Sequence, residues 1–203
     1  MEDTFFGRLQ DLVTKPSRLM DRVGEAPRWV PALILIVVII GAVTWFITPI
    51  SEPERLELMR NSRLMQMMPE EEWQAQYDQA LNPSTSKLVF SSLAGGFFSG
   101  VIVLLGGLIL AFFARMGGGQ GTVKQSLGIM AWASVISMGI GSLVKLPFIL
   151  ITESTHQSTL SLAALLPEAD PSSALFQVLA NYTDFFVWWS LCLLYTSPSP
   201  RDS

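Results

Sequence analysis

Three long stretches of this chain carry no charged side chain. Trp29 to Ser51 is the first, Leu88 to Ala114 the second and Gln125 to Val144 the third; past Lys145 the third goes on as an apolar run to Thr152. Each supplies the ~20 residues that an α-helix needs to cross ~30 Å of hydrocarbon. Spanning strands would be shorter and would alternate in polarity, whereas these runs are continuous. The pattern therefore predicts an all-α, polytopic membrane protein with full spans at about 29–48, 88–114 and 125–151. A fourth, truncated span is expected at 185–191.

The connecting segments have patterns of their own. Residues 1–28 form an arm with five basic side chains, Arg8, Lys15, Arg18, Arg22 and Arg28, and Phe5, Phe6, Leu9, Leu12 and Val13 fall near one helical face. Two readings stay open: a helix lying in the membrane interface with its basic groups toward headgroups, or an amphipathic helix packed on the bundle. Pro16 and Pro27 punctuate the arm. Residues 51–87 are a polar insertion. Pro49 is expected to close the first span, and Ser51-Glu52-Pro53-Glu54 fits a capping box that opens a new helix through Leu56, Met59 and Arg63. A second helix is expected from Pro69, with Glu70, Glu71 and Glu72 in its positive first turn. Trp73, Tyr77 and Leu81 lie four apart on one face of it, and Asn82-Pro83 ends it. The pair is read as a helical hairpin over the outer membrane surface, and residues 152–183 as an outer loop without lysine or arginine.

Small residues recur within the spans. Ser92, Gly96 and Gly100 form a stripe on the second, and Ala133, Ser137 and Gly141 one on the third. Small residues at i, i+4 and i+8 let helix backbones approach closely in lipid, so these stripes are expected to pack on each other or on neighbouring helices. Between the two spans, Arg115 to Lys124 is a Gly-rich turn with Gly118, Gly119 and Gly121, which makes the spans an antiparallel hairpin. It lacks the Gly-Lys-Ser/Thr order and the preceding strand of a phosphate-binding loop.

Charge sets orientation. The arm and the Gly-rich turn hold seven basic residues, against four in the 51–87 insertion, which also carries seven acids. By the positive-inside rule the N-terminus is cytoplasmic, in the cytoplasmic (inner) membrane. Lys145 is expected to snorkel to the outer surface. Half of the 203 residues are apolar, 15% are charged and the net charge is −4. No basic block points to nucleic acid. The first run begins after 28 residues of charged sequence and is too long for a signal peptide. Cys192 is the only cysteine, so no internal disulfide forms.

The end of the chain departs from this pattern. Phe185 to Leu194 gives about 15 Å of helix, half a membrane. Tyr-Thr-Ser-Pro-Ser-Pro-Arg-Asp-Ser follows, and a backbone broken by two prolines at mid-bilayer is poorly suited to lipid. The stretch Cys192 to Asp202 resembles a reading-frame translation of a transposase adapter used in sequencing libraries. The protein proper is therefore expected to be cut off near Leu191, with 192–203 an artefact.

Three stretches carry a likeness to a known family. They are Phe6-Gly-Arg-Leu with Lys15-Pro16-Ser17, Asp21-Arg-Val, Pro27 and Trp29-Val; Gly118-Gly119-Gln120-Gly121-Thr-Val-Lys124-Gln-Ser-Leu-Gly with Ala131-Trp-Ala133-Ser; and Thr183-Asp184-Phe185-Phe-Val-Trp188-Trp-Ser-Leu. In these the chain resembles the Yip family, the Ypt/Rab-interacting membrane proteins, in its bacterial branch. The resemblance implies a membrane domain over 29–191 and a location, but no reaction; the family has five spans, so this chain is expected to lack most of the fourth and all of the fifth. Eukaryotic members bind Rab GTPases through an acidic-Leu-Tyr-Gly-Pro type segment in a long arm. The short arm here has no such segment, so Rab binding is not carried over.

No catalytic set is evident. His156 is the sole histidine, with Glu153 three residues away, and that is too few groups for a metal or a triad. HExxH, CxxC and GxSxG are absent, and no acid lies within the three full spans. Met59, Met65, Met67 and Met68 cluster in the outer hairpin; thioethers bind soft Cu(I), but on an amphipathic helix they read first as packing. No cofactor or metal is expected, and no enzyme. The function expected is a non-enzymatic membrane protein that associates with other membrane proteins or itself, or that organises the bilayer. The alternative, a transporter or channel subunit, has only Thr44, Ser134, Ser137, Ser142 and glycine-exposed backbone to line a path.

Overall fold

The computed structural model describes residues 4–60, 69–155, 160–166 and 173–195. Arg63, Met65, Met67, Met68, His156 and positions 196–203 lie outside the described residues. Every regular element among the described residues is a helix. In chain order they are α1 (Phe5–Thr14), α2 (Pro16–Glu25), α3 (Val30–Arg60), α4 (Glu70–Leu81), α5 (Thr85–Met116), α6 (Val123–Thr152), α7 (Ala174–Tyr182) and α8 (Phe185–Tyr195). A single 3₁₀ turn, Leu162–Leu165, precedes α7. Three helices, α3, α5 and α6, are long and apolar enough to cross a membrane. The fourth apolar helix, α8, is shorter and runs to Tyr195.

Two helix boundaries depart from the sequence pattern. The first span does not stop at Pro49: α3 runs through Pro49 and Pro53 for 31 residues. Each proline removes one backbone donor. In a membrane helix such losses are tolerated when nearby hydroxyls and neighbouring helices take up freed backbone groups. The Thr48 hydroxyl bonds the Thr44 carbonyl at 2.7 Å, one residue before the Trp45 carbonyl that Pro49 deprives of its helix donor. Ser51 therefore lies inside the helix, and no new helix is capped there. At ~1.5 Å per residue α3 measures about 46 Å, well beyond the hydrocarbon thickness, so its polar end continues out of the membrane as helix. The third span departs differently. Its middle, Val135–Ile140, is a π-helical turn in which the Gly141 N–H reaches back to the Ile136 carbonyl.

The described residues form two compact units, each built from parts of the same long helices. The first comprises, of the described residues, 4–39, 96–141 and 186–195. Here Gly96 and Gly100 of α5 are buried, and a methyl group on Gly96 would stand 2.7 Å from the Val37 carbonyl oxygen. Gly106 and Gly107 face α6 in the same way: their Cβ positions lie 2.7 Å from Met130 Cε and from Leu127 Cδ2. Glycine thus lets the α5 backbone approach both neighbours. Gly141 abuts the Phe186 ring of α8, with its Cβ position at 3.1 Å.

The second unit comprises residues 40–95 and 142–185. Gly41 and Gly95 seat α3 against α5, Gly41 on the Ser92 carbonyl and Gly95 on the Thr44 side chain. The polar end of α3 pairs with α4. The Arg60 guanidinium lies 4.2 Å from the centre of the Trp73 ring and bridges to Glu70 at 3.1 Å. Trp73 stacks on Tyr77, whose hydroxyl donates to Glu57 at 2.7 Å. That bond, with a little desolvation and the nearby carboxylate charge, raises the Tyr77 pKa above the ordinary tyrosine value. The carboxylate of Glu54 accepts from both the backbone N–H and the hydroxyl of Thr155, tying α3 to the segment after α6. Lys87 bridges to Glu52 at 3.2 Å.

Large apolar side chains remain exposed along the spans: Phe90, Phe97, Phe98, Phe112 and Phe113 on α5, Val38 and Phe46 on α3. In water such surfaces would drive aggregation; in a bilayer they are the lipid-facing sides.

Candidate functional site

The most fully built polar arrangement holds the N-terminal arm. α1 and α2 fold back on each other, and the Arg22 guanidinium meets Asp11 at 2.7 Å. Arg8, only 2% exposed, donates from Nη2 to the Ala26 carbonyl at 2.8 Å. This closes the end of α2, where a carbonyl has no partner in its own helix. Leu12, Leu19, Met20 and Val23 are fully buried.

The arm rests on the start of α6. Thr122 caps α6 through a capping box with Gln125: the Gln125 N–H donates to the Thr122 hydroxyl, and the Gln125 side-chain oxygen accepts from the Thr122 N–H at 2.7 Å. The remaining end of that amide, Nε2, donates to the Gly24 carbonyl of the arm at 2.8 Å. Three residues on, Gly128 leaves room for Val23 and Pro27; a Cβ there would stand 2.8 Å from Val23 Cγ1. Trp132, fully buried, donates from Nε1 to the Arg28 carbonyl at 3.2 Å, and its ring lies 6.0 Å from that of Phe5. Positions 125, 128 and 132 share one helical face. Of the two readings of the arm, the structure takes the packed one for α2. The seat receives a helix, since its donors are taken up by arm carbonyls. Gly128→Leu is expected to unseat the arm, because the side chain would enter the space of Val23 and Pro27. Limited proteolysis in mild detergent checks this: cutting within 15–28 should accelerate at least roughly tenfold, since a clash of ~1–3 kcal/mol shifts a local opening equilibrium by that order.

The Gly-rich turn is a helix stop. Gly118, with φ +80°, sits where α5 ends; the Gly119 N–H bonds the Ala114 carbonyl and the Gly118 N–H bonds that of Arg115. This is a Schellman arrangement, which demands a left-handed residue. Gly119 also needs its small size, with a Cβ position 2.8 Å from the Ala114 oxygen. Gly121 and Lys124 make no comparable contact, and Lys124 is exposed. Gly118→Val should cost ~1–2 kcal/mol for a left-handed β-branched residue, readable as a lowered thermal midpoint, whereas Gly121→Ala should leave the midpoint unchanged.

The small-residue stripes are divided among several neighbours. Ser92, Gly96 and Gly100 lie along α3. On α6 the π-turn interrupts the i+4 series, leaving Ala133 buried, Ser137 half-buried and Gly141 against α8.

A second polar arrangement departs from the sequence expectation. Lys145 does not reach for the outer surface but bonds the carboxylate of Asp184. The Asp184 side chain is 4% exposed and that of Lys145 27%. Asp184 immediately precedes α8, where a negative charge also meets the positive end of the helix. The pair fastens the third span to the beginning of the fourth apolar helix. Gln125 and Trp132 also went unassigned from sequence; Thr122-x-x-Gln125 was a readable capping signal, while a contact between positions 145 and 184 leaves no local trace. Among the described residues, no three His, Cys, Asp or Glu side chains converge as a metal site.

Long apolar helices with lipid-facing aromatic sides, bonded to one another by a few polar groups, define a multi-pass α-helical membrane protein. Within that class the chain belongs to the Yip1 domain family, whose model matches residues 11–197. The match takes in the arm from Asp11, near the end of α1, the three long helices and α8. Comparison with curated proteins and with solved structures found no match.

Proposed function

We propose that this protein is a non-enzymatic membrane scaffold of the Yip type, which associates with other membrane proteins or with itself, or organises the surrounding bilayer. It resides in the cytoplasmic (inner) membrane with its arm in the cytoplasm. Its partners are lipid and membrane proteins, not nucleic acid and not a Rab GTPase. The observation that carries this reading is where the part-buried polar groups go. Lys145 bonds Asp184, Gln125 bonds Gly24, and Glu54 bonds Thr155. Each joins one part of the chain to another, and Thr44, a candidate pathway residue, packs on Gly95. A transporter or channel subunit would instead keep such groups lined along a route.

The test is solute and ion flux into liposomes holding the purified chain. A scaffold gives flux no higher than protein-free liposomes across ions, sugars and amino acids. Saturable flux of any of these overturns the proposal in favour of a transporter or channel subunit.

A further inference from the structure

The two arm helices treat their apolar side chains differently. On α2, Leu19, Met20 and Val23 are all buried, and Ser17, Arg18, Asp21 and Glu25 face outward. On α1 the apolar arc is wider than the contact it makes. Leu12 is buried and Phe5 approaches Trp132, but further round the same arc Leu9 is half-buried, Val13 is 56% exposed and Phe6 79%. Phe6 and Val13 are seven residues apart and so stand on one face, one above the other.

The placement of α1 identifies what lies against that face. Phe5 meets Trp132, nine residues into α6, which is about 13 Å along a helix that crosses the membrane. The neighbouring Phe6 therefore stands alongside the first turns of a membrane-crossing helix, not beyond its end. Charge agrees. In this unit the exposed ionic side chains among the described residues are Lys15, Arg18, Arg28, Arg115 and Lys124 against Asp21 and Glu25. An excess of cations beside an apolar ridge suits an anionic lipid surface.

We infer that α1 inserts Phe6, Val13 and the edge of Leu9 into the anionic leaflet on the arm side, so that the arm is gripped by α6 on one face and by lipid on the other. This rests on the multi-pass architecture and is independent of whether the protein has protein partners. α1 then senses the lipid beside the protein: in an anionic leaflet it is held down, and in a zwitterionic one it is held only by its protein face.

The experiment uses the full chain carrying Cys192→Ser, with a single cysteine at position 6, 13 or 17 labelled by an environment-sensitive fluorophore. The chain is reconstituted in vesicles of phosphatidylcholine with or without phosphatidylglycerol. Quenching by aqueous iodide is compared with quenching by a nitroxide on the acyl chain. The expected result is that probes at 6 and 13 are quenched by the lipid nitroxide and severalfold less by iodide than the probe at 17. Lipid quenching should rise with phosphatidylglycerol, and Lys15→Glu should remove that rise. Two results overturn the inference. One is equal iodide access at 6, 13 and 17. The other is shielding of 6 and 13 from both quenchers, which would mean that protein, such as a second copy, covers the face. A cysteine at 13 repeats the test should the change at Phe6 weaken folding.

Discussion

Lys145→Met lowers stability by about 3–5 kcal/mol, because it leaves the Asp184 carboxylate buried without its cation. Asp184→Leu costs less, about 1–3 kcal/mol, the range for losing a buried polar partner. The asymmetry follows from exposure. The Asp184 side chain is 4% exposed and fixed at the entry to α8, while that of Lys145 is 27% exposed on a four-carbon stem. An orphaned lysine can swing its ammonium toward water; an orphaned aspartate at this site cannot. The double variant Lys145→Met/Asp184→Leu should recover most of the loss, since a buried pair exchanged for apolar groups is often neutral. Unfolding in detergent micelles, arranged as a double-mutant cycle, reads all four species. Strictly additive losses would show that the two side chains do not act as a pair.

Gly96→Leu produces the second large effect. The Cβ alone would come within 2.7 Å of a backbone oxygen, that of Val37, so no side-chain rotation relieves the contact and α5 must move off α3. Overpacking of this kind costs ~1–3 kcal/mol, and a rigid backbone partner places Gly96 at or above the upper end. Gly100→Leu meets only the ends of Val37 and Leu33 and should cost less. Disulfide crosslinking between cysteines placed on α3 and α5 should fall sharply for Gly96→Leu, in membranes as well as in micelles. Undiminished crosslinking would remove the close approach as the basis of this contact.

The three spans were legible because charge in hydrocarbon is costly, and uncharged runs of sufficient length therefore declare themselves. The helix from Glu70 to Leu81 was legible too, through Pro69, its acidic first turn and Asn82-Pro83. Pro49 misled, since the rule that proline ends a helix is weaker inside a membrane helix, and α3 runs on through it. The arm was ambiguous because amphipathicity fits a membrane surface and a protein surface equally; only the close seating of Val23 and Pro27 on Gly128 and the donors of Gln125 and Trp132 tell them apart. The ion pair was illegible because Lys145 and Asp184 are joined by the folding of the chain and by nothing local.

The π-turn at Val135–Ile140 sets the azimuth of Gly141 relative to the earlier part of α6. An extra residue taken up in one turn rotates the following helix by about 100° relative to a regular α-helix. Gln125, Gly128 and Trp132 look toward the arm before that twist, and Gly141 looks toward Phe186 after it. The turn works as a dial between two faces, so a mechanism that regularised it would swing Gly141 away from α8 while leaving the grip on the arm untouched.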